Sequence, residues 1–144
     1  MIIRRVTALD AKALAQLECT QPLCAQWGED GWRREVNVAS SRIWGAFETD
    51  RLVGFVALRL AAGFGEILNV GVCPQFCRQG IGFKLLTHTL HQAQREGAEQ
   101  ISLEVNIHNR AAISLYSKVG FLEVGRREKF YNGTDDALIM ELKL

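Results

Sequence analysis

The sequence has almost no excess of charge of either sign, with 17 lysines and arginines against 16 aspartates and glutamates. A protein that binds nucleic acid or an anionic membrane through a broad surface carries a clear basic excess, which is missing here. Long apolar runs are missing as well, because no stretch approaches the ~20 consecutive apolar residues that span a bilayer. We therefore expect neither nucleic acid nor a membrane among the partners, and any phosphate must be bound at a local site.

Signals for secretion and for metal binding are also absent. No apolar segment follows the early Arg4 and Arg5 as it would in a signal peptide, so we expect a cytoplasmic protein. Without a secretory signal the cysteines are expected to be free thiols, namely Cys19, Cys24, Cys73 and Cys77. Their spacing and the positions of the histidines do not match a zinc site, and we predict no metal. His88 and His91 are expected on the solvated side of a helix.

The hydrophobic periodicity predicts one domain over residues 1–144, with the element order β-α-α-β-β-β-α-β-α-β-β. A helix between two strands, from Val72 to Ile101, implies one parallel crossover in an otherwise antiparallel sheet. The fold class is therefore mixed α/β (α+β), with helices on both faces of the sheet. Asp10 is expected to cap the first helix and Asn109 the last. The predicted strands cover residues 2–6, 42–48, 52–60, 66–72, 100–105, 121–127 and 137–142, and the predicted helices 9–18, 29–38, 80–95 and 110–119.

A glycine-bearing loop links the strand that ends at Val72 to the following helix. It holds Arg78, Gly80 and Gly82, so free amides at the helix N-terminus and a nearby guanidinium would form an anion site. The glycines would let the backbone approach a pyrophosphate closely. A tight turn without any ligand explains the two glycines equally well. The loop lacks the Gly-Lys-Ser/Thr of a Walker motif and the third glycine of a dinucleotide-binding fingerprint.

A second informative stretch begins in the strand that contains Glu104. Alternation places Ser102, Glu104 and Asn106 on one face of this strand. Burying a carboxylate in the middle of an internal strand costs free energy, unless the side chain lies in a solvated cleft or has a catalytic role. The alternative is that this face of the strand is simply exposed to solvent. Tyr116 belongs to the apolar stripe of the next helix. Such a tyrosine is ordinarily a core residue whose hydroxyl reaches a polar partner.

Together these residues resemble the GNAT acetyltransferase superfamily. The run Arg78 to Gly82 matches its Arg/Gln-x-x-Gly-x-Gly/Ala motif for acetyl-CoA, and the run Asn109 to Phe121 matches its Asn-x-x-Ala-x-x-Leu-Tyr-x-x-x-Gly-Phe motif. The element order agrees over nearly the whole chain. This resemblance implies an acetyl-CoA-dependent N-acetyltransferase with the GNAT fold.

Within the superfamily the chain resembles the RimI group, which acetylates the N-terminal alanine of ribosomal proteins. The strand around Glu104, the position of Tyr116 and the tail from Arg126 to Met140 carry this likeness. It implies that Glu104 is the general base, Tyr116 the general acid and Tyr131 part of the loop that shapes the peptide slot. It also implies a set of contacts to acetyl-CoA: Val70, Gly71, Val72, Arg78, Gln79, Gly80, Ile81, Gly82, Phe83 and Asn109. Residues 21–28 follow the family's Pro-Trp segment only loosely, and Phe130 stands where many relatives carry a tyrosine.

The sequence leaves the identity of the acceptor amine open. An α-amino group, with a pKa of about 7.7–8.0, loses its proton more easily than lysine at about 10.4, which favours a protein N-terminus. A small amine or a lysine side chain is the alternative acceptor, and an acyl-CoA-binding protein without turnover is the alternative of another class. A backbone N–H near Gly71 or Val72 is expected to stabilise the oxyanion. We expect a monomer or a weak dimer.

Overall fold

A computed structural model describes residues 1–77, 79–131 and 133–144 of the protein, with Tyr131 by its backbone. Seven strands form one sheet in the order β1-β2-β3-β4-β5-β7-β6. All neighbouring pairs are antiparallel except β4 and β5, which run parallel, so the predicted mixed sheet with one crossover is confirmed. The strands are β1 Ile2–Arg5, β2 Ser41–Glu48, β3 Arg51–Ala61, β4 Phe64–Val72, β5 Gln100–Asn106, β6 Leu122–Tyr131 and β7 Asp135–Lys143.

Two helices cover each face of the sheet. The helices α1 Ala11–Glu18 and α2 Gly28–Val36 lie on one face, where Trp32 packs edge-on against Phe55 with ring centroids 5.0 Å apart. The helices α3 Ile81–Arg95 and α4 Arg110–Val119 lie side by side on the other face. A β-carbon placed at Gly54 would lie 3.3 Å from Ile81 of α3, which shows how closely this helix approaches β3. Within the described ranges, no helix combines the length and the apolarity needed to cross a bilayer.

The ends of the four helices lie within two residues of their predicted positions, but the cap of α1 differs from the one expected. Asn109 caps α4 as predicted, since its Oδ1 accepts a hydrogen bond from the Ala112 N–H at 3.3 Å. Asp10 does not cap α1 through its side chain. It instead accepts from the Thr7 N–H at 2.7 Å and helps to cap a 3₁₀ turn, Ala8–Asp10, that precedes the helix. The helix α2 begins one residue before its predicted start and ends two residues before its predicted end.

His88 lies in a different environment from the one expected. It is half-buried, with its ring edge-on to Trp44 at a centroid distance of 4.5 Å. Burial, and then the charge of His91, lowers the pKa of His88 below its ordinary value. The expectation of a solvated histidine is therefore wrong for His88, although His91 is exposed as predicted.

The sheet opens between β4 and β5. The register of β4 against β3 shifts between Ile67 and Asn69, so Leu68 is the extra residue of a β-bulge. The parallel ladder between β4 and β5 ends at the pair Ile67 and Leu103. Beyond this point the last residues of each strand are no longer paired with one another. The bulge and the end of the ladder therefore leave a gap inside the sheet, between 68–72 of β4 and 104–106 of β5.

Candidate active site

Two cavities meet at this gap. The first, here called the gap cavity, has a volume of about 510 Å³ and lies between β4, β5 and the segment that joins α1 to α2. The second, here called the helix groove, has a volume of about 450 Å³ and runs along the last residues of β4 to the start of α3 and one side of α4. Three residues line both cavities: Cys24, Val70 and Asn109. The two spaces are therefore continuous at this point.

Glu104 and Tyr116 line the gap cavity from opposite sides of the sheet. Arg59 of β3 forms an ion pair with Glu35 of α2, so its side chain lies on the α2 side of the sheet. Arg59 is paired with Glu66 of β4, and Glu66 with Ser102 of β5. Paired residues face the same side of a sheet, so Ser102, and with it Glu104 two residues later, also lies on the α2 side. Tyr116 comes from α4, on the side of α3. The two residues that the sequence singled out for acid and base chemistry thus share one cavity through the gap.

The surroundings of these two side chains suit a chemical task. The Glu104 side chain is 26% exposed, and its Oε1 lies 3.0 Å from Nε of Arg127, so the carboxylate is held within a partly wet cavity. Tyr116 is only 5% exposed, and its ring packs edge-on against Phe121 with centroids 5.7 Å apart. Buried packing fixes the direction in which the tyrosine hydroxyl points.

The helix groove ends at the N-terminus of α3. Gly80 caps the helix in the left-handed conformation, with φ of +78°, a geometry that glycine adopts without strain. The amides of the first turn have no partners within the helix and carry the positive end of its dipole, which favours an anion. Lys118 of α4 also lines the groove, with its Nζ 4.6 Å from the centroid of the Phe83 ring. This end of the groove is therefore suited to phosphate groups.

The predicted cofactor contacts only partly coincide with the groove. Seven of them line it, together with Asn109: Val70, Gly71, Val72, Gly80, Ile81, Gly82 and Phe83. Gln79 is described but does not line it. Arg78 lies outside the described residues, as does the side chain of Tyr131. The roles of all these residues in cofactor and acceptor binding stay predictions.

The free edge of β4 is formed by the backbone of Val70 and Val72. The Cys73 N–H donates to the Val53 carbonyl of β3 at 2.8 Å, and the alternation of a strand directs the groups of Gly71 to β3 as well. The N–H and C=O groups of Val70 and Val72 therefore point into the gap. Of the two amides expected near the oxyanion, that of Gly71 is paired with β3 and that of Val72 faces the helix groove, while the neighbouring Val70 lines both cavities.

Two side chains after α1 reach this edge, and the sequence did not reveal them. Gln21 donates from Nε2 to the Val72 carbonyl at 2.8 Å, and Cys24 donates from Sγ to the Val70 carbonyl at 3.2 Å. Burial, and then the charge of Glu18, raises the pKa of the Cys24 thiol to about 11. The thiol is therefore protonated at neutral pH. The local sequence around residues 21–25 contains no signal for these contacts, which arise only when the folded chain brings this segment to the edge of β4.

The described lining of the gap cavity is acidic. It includes Glu66, Glu104 and Asp135 and contains no lysine or arginine. Asp135 accepts from Nδ2 of Asn106 at 3.0 Å and lies 3.5 Å from Nε2 of His108. No cluster of histidine, cysteine and acidic side chains in the described ranges is arranged to hold a metal. A lining of this charge favours a cationic ligand.

Comparison with known proteins decides the family. Residues 11–121 match the acetyltransferase (GNAT) family. The chain belongs to this family. The [ribosomal protein bS18]-alanine N-acetyltransferase of Salmonella typhimurium is 35% identical over 98 residues, which are 66% of each of the two chains. The enzyme of the same name from Escherichia coli is 32% identical over 100 residues, 67% of this chain and 68% of that protein.

The fold of this GNAT acetyltransferase is also that of a solved relative. The crystal structure of the ribosomal-protein-S18-alanine N-acetyltransferase from Escherichia coli superposes with a TM-score of 0.87 at 26% sequence identity. The match covers 99% of this chain and 92% of that chain. The predicted family and the predicted fold are thereby confirmed.

Proposed function

We propose that this GNAT acetyltransferase transfers the acetyl group of acetyl-CoA to the free α-amino group of a polypeptide, with the N-terminal alanine of a ribosomal protein as the acceptor. One observation carries the proposal. The helix groove, which suits a phosphate-bearing ligand, opens at Cys24, Val70 and Asn109 into the acidic gap cavity, which suits an ammonium group. The reacting atoms of two ligands would meet beside Glu104 and Tyr116.

The residues of the helix groove fit acetyl-CoA. The amides from Gly80 to Phe83 at the start of α3 would bind the pyrophosphate, and Lys118 adds a positive charge beside them. The carbonyl of Val70 and the backbone groups of Val72 would bind the amides of the pantetheine arm, as an added strand binds a sheet edge. Arg78, Gln79 and Asn109 are proposed to complete this binding site. When bound, acetyl-CoA supplies an activated acetyl thioester.

Three residues would share the chemistry of acetyl transfer. Glu104 would take the proton of the acceptor ammonium, directly or through a water molecule, so that the neutral nitrogen attacks the thioester carbon. The N–H of Val70, which lines both cavities, would donate to the oxygen of the tetrahedral intermediate. When the C–S bond breaks, Tyr116 would give its proton to the leaving sulfur, and the nitrogen would pass its remaining extra proton to the tyrosine oxygen. The N–C bond then remains in the acetylated product.

The ease with which the acceptor amine loses its proton favours an α-amino group over a lysine side chain. The pKa of an α-amino group is about 2.5 units below that of lysine, so the same carboxylate needs about 3.5 kcal/mol less to generate the neutral amine. The named relatives are alanine N-acetyltransferases for ribosomal protein bS18, which supports a polypeptide N-terminus. Tyr131 would shape the peptide slot. A ribosomal acceptor also implies a cytoplasmic location.

The test is the release of free thiol from acetyl-CoA by the purified protein. The acceptor panel contains short peptides with a free N-terminal alanine, serine or methionine, N-blocked peptides that contain lysine, and small polyamines. The proposal predicts thiol release with a free alanine N-terminus and none with the blocked lysine peptides. Release with the lysine or polyamine set alone would assign a different acceptor. Tight CoA binding without any release would identify a non-catalytic acyl-CoA-binding protein.

A further inference from the structure

Glu66 is an acidic residue of the gap cavity that the acetyl-transfer chemistry does not use. It lies on β4, is exposed, and lines the same cavity as Glu104. The parallel register pairs Glu66 with Ser102, two residues before Glu104 on the same face of β5. Two residues of a strand advance by about 7 Å, so Glu66 lies about that far along the cavity from the level of Glu104.

The arginine opposite Glu66 and the arginine beside Glu104 are both bound to other carboxylates. Arg59 is its cross-strand neighbour on β3, but it contacts Glu35 through both Nε, at 2.9 Å, and Nη2, at 2.6 Å. Arg127 is paired with Glu104 at 3.0 Å. Among the described residues, Glu66 has no ion pair within 4.0 Å. Arg59 attracts Glu66 electrostatically but makes its direct contacts with Glu35, so the Glu66 carboxylate can still contact a ligand in the cavity.

The spacing matches a polypeptide whose N-terminus lies at Glu104. An extended chain advances by about 3.3–3.6 Å per residue, so the second and third residues of such an acceptor pass the level of Glu66. A lysine or arginine side chain there would bring its charge to the Glu66 carboxylate. An acidic side chain would meet the negative lining and be disfavoured.

We propose that Glu66 makes this protein selective for acceptors with lysine or arginine at the second or third residue. This inference rests on the proposed acetylation of a polypeptide N-terminus. Glu66 acts as a specificity residue that binds the acceptor side chain and takes no part in proton transfer. Its removal should therefore raise KM for a basic acceptor and leave kcat unchanged.

The experiment compares three otherwise identical peptides that begin Ala-Arg, Ala-Gln and Ala-Glu, and a second set with the same changes at residue three. The natural protein should prefer arginine over glutamine in one of the sets by about two- to five-fold in kcat/KM, the range of a solvent-exposed ion pair. Glu66→Gln should abolish this preference, so that the arginine and glutamine peptides are acetylated with equal kcat/KM. Glu66→Arg should favour the glutamate peptide.

A matched variant and a binding measurement separate the possible failures. Glu48→Gln removes a carboxylate from β2, which is not a neighbour of β4 or β5, and should retain the preference. Equal rates on all peptides, or a preference that survives Glu66→Gln, would overturn the inference while the proposed function stands. If no free N-terminus is acetylated, the proposed function fails. In that case, calorimetric affinities for the N-acetylated arginine and glutamine peptides test Glu66 separately. Tighter binding of the arginine peptide to the natural protein but not to Glu66→Gln would support the inference, and equal binding would overturn it.

Discussion

The Nε atom of Arg127 lies 3.0 Å from Oε1 of Glu104, so an ion pair links β6 to the candidate base on β5 across the intervening strand β7. Arg127 also lies over the Phe130 ring, with Cζ 5.1 Å from the centroid, and Phe130 lines the gap cavity. The strand pair β6–β7 therefore supports both the carboxylate and the wall of the acceptor space. Changes at Glu104 can be tested without disturbing the helix groove.

Replacing Glu104 with glutamine should lower kcat by about 100-fold or more, because a positioned general base contributes that much to proton transfer. The affinity for acetyl-CoA should not change, since Glu104 does not line the helix groove. Initial rates of thiol release and calorimetric binding of CoA measure the two effects. Activity equal to that of the natural protein across the pH range would remove Glu104 from the mechanism.

Tyr116→Phe should also reduce kcat strongly, by about 100-fold, because the leaving thiolate loses its proton donor. The buried ring and its contact with Phe121 are retained in this variant, so the melting temperature should change little. Rates and thermal unfolding curves of the same preparations separate chemistry from packing. An unimpaired rate would leave Tyr116 as a core residue only.

Much of this architecture was predictable from the sequence because the signals are local. The alternation in β5 placed Glu104 on one face, and the spacing in α4 placed Tyr116 on the buried side. The single helix between β4 and β5 required a parallel pair. A glycine with positive φ follows each of the last two helices, Gly97 at +91° after α3 and Gly120 at +113° after α4, which is a common local signal for a helix end.

The errors and omissions depend on contacts between distant segments. Gln21 and Cys24 follow a helix in a segment without periodicity, and their role arises only because they reach the edge of β4. His88 has a polar helical neighbourhood in the sequence, yet Trp44 of β2 covers its ring. Asp10 precedes α1 as a cap would, but Thr7 adds a 3₁₀ turn that changes its role. The bulge at Leu68, which opens the sheet, leaves no local signature.

The two ends of α3 offer a matched test of the groove. Gly80 at the N-terminus and Gly97 past the C-terminus have φ of +78° and +91°, and a β-carbon at either would meet nothing within 4 Å. Alanine at each position should cost about 1–2 kcal/mol of stability through backbone strain alone. Only Gly80→Ala should also raise KM for acetyl-CoA, by about five-fold for each 1 kcal/mol of binding lost.

Denaturant unfolding and cofactor-dependent kinetics on both variants provide the measurement. Gly97→Ala is the control for the loss of stability, because it lies at the other end of the helix from the groove. An equal rise of KM in both variants, or no rise in Gly80→Ala, would contradict the assignment of the α3 N-terminus to phosphate binding.

Glu18 is a buried carboxylate that organises the start of α2. It accepts hydrogen bonds from the Trp27 and Gly28 amides at 3.1 and 2.7 Å and from the indole of Trp32 at 2.7 Å. Glu18→Gln replaces one acceptor oxygen by a donor and should lower the free energy of unfolding by about 2–3 kcal/mol. Urea unfolding measures this loss. Glu29→Gln, in the exposed first turn of α2, should change stability by less than about 0.5 kcal/mol.

The thiols of the site should react in an order set by burial. Burial, and then the charge of Glu18, raises the pKa of Cys24 to about 11, while Cys19 and Cys77 are exposed. Since the thiolate is the reactive species, iodoacetamide at about pH 7.5 should modify Cys19 and Cys77 well before Cys24. Acetyl-CoA should protect Cys77, which lines the helix groove, and leave Cys19 as reactive as before. Peptide mapping by mass spectrometry follows each site. Early modification of Cys24 would contradict the raised pKa of its thiol. Equal protection of Cys19 and Cys77 by acetyl-CoA would contradict the placement of the cofactor along β4.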